Sequence, residues 1–173
     1  MKALPLAAVL VAGAFLAACT QNVEEPPVNE THSLPSVWTP ETGRTANLKL
    51  LPGATLYNLE RLGPVVNPFG RARLIINTLV PFDVSGWAVD AEAGQAASGV
   101  DIVIDQKPFT ALYSLDRPDV AEHFHTPAYG RSGFELTIPA TQLDAGQHTL
   151  MIRIIDHQAR GYFQSPSLLF DLR

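Results

Sequence analysis

Five histidines, 17 acids and a single cysteine are the side chains of this 173-residue chain best suited to proton, metal or nucleophile chemistry. The lone thiol, Cys19, closes no intrachain disulfide and excludes zinc sites built from several thiolates. Two histidines stand one residue apart in His123-x-His125. On an extended strand that spacing turns both imidazoles to one face, where they would supply two metal ligands; on a helix it points them apart. Asp119, Glu122 and His157 are available to complete such a site, but no spacing forces them to converge, so no metal or other cofactor is expected. Asp90, Glu92, Asp101 and Asp105 are candidate oxygen ligands for calcium at a strand end, yet they lack the dense acidic loop of a strong calcium site. Gly130-Arg131-Ser132-Gly133 is not a nucleophile elbow, which needs G-x-S-x-G between a strand and a helix. The sequence has no glycine-rich phosphate loop of the P-loop or dinucleotide type. Any two acids could be nominated as the carboxylate pair of a glycosidase, and that freedom empties the nomination. The chain is expected not to be an enzyme.

The charge balance removes another class of function. Twelve basic side chains face 17 acids, a formal net charge of −5. Such a chain offers no net field for a polyphosphate, so nucleic acid is not an expected partner.

At the amino terminus Lys2 precedes an apolar run over residues 3–18, interrupted only by Pro5 and Gly13. The run is shorter than the ~20 residues that cross a bilayer and has the form of a signal-peptide core. It ends Leu16-Ala17-Ala18-Cys19, which resembles the lipobox of bacterial lipoproteins. That resemblance implies diacylglyceryl transfer to the Cys19 thiol, cleavage just before it, and acylation of the new amino terminus. One acyl chain binds a membrane marginally, whereas two or more anchor it stably. The membrane is therefore an expected partner, through lipid on Cys19. The expected location is the cell envelope, and the outer membrane in a cell that has one, because Thr20 rather than aspartate follows the cysteine. Residues 19–47 are rich in proline and acids and poor in adjacent apolar residues, the composition of a tether. Trp38 is the exception there, either docked back on the domain or exposed for binding.

From residue 48 to 173 the apolar period is two, the signature of strands. Phe134, Leu136 and Ile138 alternate with polar neighbours; Val100, Ile102 and Ile104, Leu150, Ile152 and Ile154, and Leu168, Phe170 and Leu172 do the same. Turn-forming clusters such as Pro52-Gly53, Asn67-Pro68 and Asp144-Ala145-Gly146 separate them. About seven short antiparallel strands without long alternating helices predict an all-β sandwich of two packed sheets. One short helix is expected near Pro118, a first-turn residue, with Val120 and Phe124 four apart on its docking face. Around Ser85-Gly86 the alternation slips, which predicts a bulge, and Trp87 is read as a core residue ahead of a ligand platform. His148 falls at a sheet-to-sheet corner, where a side chain hydrogen-bonded to backbone is expected.

Several motifs in order, Val84-Ser85-Gly86-Trp87-Ala88-Val89-Asp90, Ser98-Gly99-Val100-Asp101-Ile102-Val103-Ile104-Asp105, Arg117-Pro118-Asp119-Val120-Ala121, Ser132-Gly133-Phe134 and Leu143-Asp144-Ala145-Gly146-Gln147-His148-Thr149-Leu150, resemble those of bacterial immunoglobulin-like domains, and the resemblance implies an immunoglobulin-like antiparallel sandwich. Gln106 stands where that pattern has glycine, and glutamine tolerates a positive φ less well. Residues 48–81 have no counterpart in it. The resemblance implies a stalk, spacer or binding module and a non-catalytic role. The expected function is a membrane-anchored envelope lipoprotein that binds or positions a protein or glycan. The surface proposed for this is Tyr113, Arg117, His123, His125, Tyr129 and Arg131, where the strand pattern is interrupted. A plain end cap of the sandwich is the bland alternative for the same segment. The alternatives for the whole chain are a small envelope enzyme or metal-dependent factor using the His123/His125 region, and a subunit that pairs its edge strands with a partner.

Overall fold

The computed structural model describes residues 43–173, apart from Ala72, Thr78, Leu79, Ala140 and Thr141. The expected signal peptide, Cys19, Trp38 and most of the expected tether lie outside the described residues. Among the described residues no helix is long and apolar enough to cross a membrane.

The strands in chain order begin with β1 (Lys49–Leu50), β2 (Tyr57–Leu62), β3 (Val65–Val66), β4 (Ile75–Ile76), β5 (Phe82–Asp90) and β6 (Gln95–Ala96). They continue with β7 (Gly99–Ile104), β8 (Lys107–Thr110), β9 (Leu112–Leu115), β10 (Gly133–Ile138), β11 (Gly146–Ile155), β12 (Gly161–Gln164) and β13 (Leu168–Leu172). A six-residue helix, α1 (Pro118–His123), and a 3-10 turn (Pro127–Arg131) join β9 to β10.

Two sheets result. One runs β3-β2-β5-β10-β9, with β6 paired to the end of β5. In the other, β8 and β7 lie on one side of β11, while β13 and then β12 line its opposite side. The sharing follows from register: Leu150 pairs with both Ile104 and Leu168, and Arg153 pairs with both Asp101 and Gln164. Pro166 interrupts the line between β12 and β13, since proline has no ladder donor. There the Ile152 N–H donates to Ser165 Oγ at 2.8 Å. Short parallel pairings of β1 with β12 and of β4 with β13 close that edge. Strands β2-β5-β10-β9 packed over β7, β11 and the β12/β13 edge, with β8 beside β7, reproduce the ABED-on-CFG order of immunoglobulin sandwiches. The all-β expectation holds, and residues 48–81 supply β1 to β4.

The core sits between the sheets because the period-two residues meet there. Val84, Ala88, Ile102, Leu136, Ile152 and Phe170 belong to one buried cluster. Burying each larger aliphatic or aromatic side chain stabilises the fold by ~1.5–3 kcal/mol. The expected bulge exists, but on the facing strand: Leu59 pairs with Gly86 and Arg61 with Ser85, so Glu60 is the extra residue of β2. Leu59 and Leu62, three apart, therefore both reach the core. Gly86 is needed opposite, because a Cβ there would lie 2.0 Å from the Asn58 carbonyl oxygen.

Two expectations at the sheet ends are revised. The folded part begins before residue 48, as Gly43 and the 3-10 turn Arg44–Asn47 pack on β7. Thr45 is buried, and both its N–H and its hydroxyl donate to Asp101 Oδ2 at 2.7 Å. Between β7 and β8 a tight hairpin forms despite Gln106: Asp105 and Gln106 have φ of 47° and 71°, the signs of a type I′ turn. Asp105 is held there by the Thr149 N–H, which donates to Oδ1 at 2.9 Å. His148 occupies the expected corner, its ring nitrogens 2.6 Å from Asp105 Oδ2 and 2.8 Å from the Asp144 carbonyl oxygen.

Candidate functional site

On the outer face of β5 an apolar surface and several charged groups share an open groove. Trp87 and Val89 point away from the core side chains Val84 and Ala88, onto this face. Helix α1 and the following turn lie over it, so Val89, Val120 and Tyr129 form a second buried cluster with Trp87, Ala91 and Phe124 against them. The expectation that Trp87 fills the sandwich core is thus corrected: both faces of β5 are covered, and the indole belongs to the outer one. Phe124 is the keystone, edge-on to Trp87 at 5.5 Å, to Tyr129 at 5.9 Å and to His123 at 4.7 Å between ring centroids. Such edge-to-face pairs fix ring orientation as well as adding area.

Beside this wall Arg117 forms a clamp. Its Nη1 and Nη2 donate to Glu60 Oε2 and Oε1 at 3.0 and 2.8 Å. Its Nε and Nη2 donate to Asp119 Oδ1 and Oδ2 at 2.9 and 2.7 Å. Each part has a local cause. The β2 bulge re-aims Glu60 onto the outer face. Asp119 enters the first turn of α1 two residues on from Arg117. Gly133 leaves room for the Arg117 stem, since a Cβ there would come 3.1 Å from Arg117 Cγ. The Arg117 hydrogen bonds, outweighing a small opposing burial effect, hold the Asp119 carboxyl down at about 2, and those two carboxylates hold the guanidinium above its ordinary value. Trp87, Val120, Phe124, His123, Glu60, Arg117 and Asp119 line a groove of about 380 Å³.

The residues expected to form a binding surface separate into three groups. Arg117 and His123 line the groove. Tyr113 and Tyr129 are corrected from surface to structure. The Tyr113 hydroxyl donates to the Ala88 carbonyl at 2.7 Å and accepts from the Ala97 N–H at 2.9 Å, and burial pushes its phenol pKa up. Tyr129 is buried under Phe124. His125 and Arg131 are exposed and lie outside the groove lining. His125 has a φ of 50° and its N–H donates to the Glu122 carbonyl at 3.1 Å. Arg131 Nη2 donates to the Ser114 carbonyl at 2.8 Å, and its Nη1 lies 3.4 Å from Asp116.

The metal constellations do not assemble. His123 closes α1 and His125 follows it, and no group of three or more His, Cys, Asp or Glu among the described residues is placed to hold an ion. Of the calcium candidates, Asp90 accepts from the Ala93 and His157 N–H groups, Asp101 is buried against Thr45, and Asp105 sits in the β7–β8 hairpin. Those positions belong to three separate parts of the sandwich.

Sequence reasoning missed Glu60 and Phe124 as site residues and placed the platform reading of Trp87 second to a core role. The Leu59/Leu62 spacing of three inside a period-two strand was the available signal for Glu60. No family model matches the chain, and no curated protein matches it. Among solved structures it is similar to the X-ray structure of the endo-beta-1,4-mannanase from Thermotoga petrophila, at 7% identity and a TM-score of 0.43, over 71% of this chain and 20% of that one.

Proposed function

We propose that this chain is a lipid-anchored envelope protein whose sandwich carries a non-catalytic binding site in the Trp87 groove. The anchor follows from Leu16-Ala17-Ala18-Cys19 and its apolar leader. The observation that carries the binding site is the Arg117 clamp at the rim of an aromatic wall. A few convergent polar groups beside apolar lining is the usual composition of a ligand pocket. The clamp is already locked by its own ion pairs, so binding costs little reordering of these side chains. Anchoring confines the site to one surface layer and raises its effective concentration for envelope ligands.

Two substitutions in cells separate the parts. Cys19→Ser blocks thiol acylation, and the chain leaves the membrane fraction or accumulates uncleaved. Trp87→Ala leaves membrane attachment intact but abolishes capture of envelope protein by crosslinking and of insoluble envelope glycan by co-sedimentation. Wild-type capture of both materials by Trp87→Ala sinks the groove assignment, and wild-type membrane retention of Cys19→Ser sinks the anchor.

A further inference from the structure

We infer that the groove takes a neutral, hydroxyl-rich saccharide. This rests on the binding-site reading above and specifies its ligand. A guanidinium carries five N–H donors. Four are committed in the clamp, two to Glu60 and two to Asp119, so one on Nη1 remains. Each carboxylate has about four lone-pair sites and spends two of them on Arg117; Asp119 also accepts from backbone N–H groups of its own turn, Val120 among them, which leaves Glu60 the larger spare capacity. Their side chains are 37% and 63% exposed, so that capacity faces solvent. The clamp is therefore richer in fixed acceptors than in spare donors, and the Trp87 and His123 rings add N–H groups beside it.

A ligand for this rim must bring donors along one edge and an apolar face against Trp87 and Phe124. A pyranose has both, hydroxyls around its edge and C–H groups on its faces, and electropositive C–H groups suit the negative faces of aromatic rings. Anionic ligands are disfavoured, because the clamp meets them with two carboxylates against one guanidinium, a net charge of −1. A lysine or arginine side chain brings donors and is drawn to the clamp's net charge of −1, but both carboxylates are already paired with Arg117, and its desolvation costs more than a hydroxyl's. The groove's volume of about 380 Å³ lies at the small end of ligand pockets, a size for a short stretch of sugar rather than a folded partner.

Titration of the full chain in detergent micelles tests this. The sequence has two tryptophans, so Trp38→Phe leaves Trp87 as the sole indole reporter. Thermal unfolding matched to wild type establishes that the reporter protein is intact. The probes are β-1,4-linked tetrasaccharides of glucose and of N-acetylglucosamine, with tetralysine and tetraglutamate as counter-probes. The expected result is a saturable change in Trp87 emission with at least one saccharide below ~10 mM, insensitive to salt. Asp119→Asn and Arg117→Lys should each weaken it about tenfold without moving the unfolding midpoint by more than a few degrees. Salt-sensitive saturation by tetralysine alone would overturn the saccharide assignment while leaving the groove a binding site. Silence with all four probes overturns it as well. If Trp87→Ala also retains envelope capture, the binding-site reading falls with it.

Discussion

The two outer faces of the sandwich are each covered by a short segment from outside the sheets, and they use charge in opposite ways. On the β7–β11 sheet, Gly43–Asn47 crosses over Asp101, whose side chain belongs to a fully buried residue. Its Oδ2 accepts twice from Thr45, and its Oδ1 accepts from Thr110 Oγ1 at 3.2 Å. On the β5 sheet, α1 buries its own Val120 against Val89 but leaves Arg117, Glu60 and its Asp119 partly open to solvent. A buried carboxylate whose bonds all run inward is a fastening. A clamp that keeps unused acceptors at the surface beside aromatic rings can be read by a ligand. The contrast implies that charge removal costs stability on the first face and recognition on the second.

The largest effect is expected at the fastening. Asp101→Ala removes three hydrogen bonds and strands the buried Thr45 N–H and hydroxyl, a loss of ~3 kcal/mol in urea unfolding. Asp101→Asn, which keeps an acceptor but adds two donors, should fall between alanine and wild type. A loss below ~1 kcal/mol for alanine would mean that the segment 43–47 is not bound through this carboxylate.

The corner between β10 and β11 is an intermediate case, buried on one side and solvated on the other. Both ring nitrogens of His148 face acceptors, Asp105 Oδ2 and the Asp144 carbonyl, so the arrangement holds the imidazolium. Burial alone would lower the pKa of His148, but the hydrogen bonds and the Asp105 charge outweigh it and hold it above its ordinary value. Burial pushes Asp105 up, and the Thr149 and His148 hydrogen bonds outweigh that and hold it below its ordinary value. A histidine with a raised folded pKa stabilises fully below its unfolded value and loses that contribution as pH rises through the folded one. An aspartate with a depressed pKa stabilises above its unfolded value and loses that contribution as pH falls through the folded one. The corner should therefore contribute most between about pH 4 and 6.5, the unperturbed values of the two groups. Substituting His148→Gln should cost ~1.5–2 kcal/mol near pH 5.5 and progressively less at higher pH, read as the difference in Tm between variant and wild type. A difference independent of pH from 5 to 9 would show that His148 acts only by packing on Phe170, 5.4 Å away between ring centroids.

How far the sequence foretells these features depends on whether the determinant is local. Alternation identified the core side of β7, β10, β11 and β13, because hydrophobic burial acts on every second residue. Pro118, Val120 and Phe124 marked α1 for the same local reason. Alternation cannot say what covers a strand's other face, so Trp87 was assigned to the wrong side of its own sheet. Tyr113 looked like a recognition residue because tyrosine serves both roles, and only the positions of Ala88 and Ala97 show its hydroxyl already occupied. Arg117 was legible as a residue but not as a clamp, since Glu60 lies 57 positions away and is delivered by a bulge. The Thr45–Asp101 fastening, 56 positions apart, carries no local signature either.

The smallest stability effect is expected at the clamp itself, although its chemistry looks the strongest on the surface. Arg117→Ala removes four charge-assisted hydrogen bonds, yet Glu60 and Asp119 are exposed enough for water to replace their partner. Exposed ion pairs contribute ~0–1 kcal/mol for that reason, so the unfolding free energy should change by no more than ~1 kcal/mol. The local electrostatics should change far more. With Arg117 present the Asp119 carboxyl titrates at about 2, and without it the midpoint should return toward ~3.9, measured by carbon-13 chemical shift against pH. Asp119→Asn should be milder still in stability, since Arg117 keeps Glu60. A loss of ~3 kcal/mol from Arg117→Ala, equal to that expected of Asp101→Ala, would erase the distinction between the faces and make the clamp a second fastening. A small loss in stability together with a shifted Asp119 titration separates the two roles by measurement, because only a group that water can replace changes its neighbour's proton affinity without unsettling the fold.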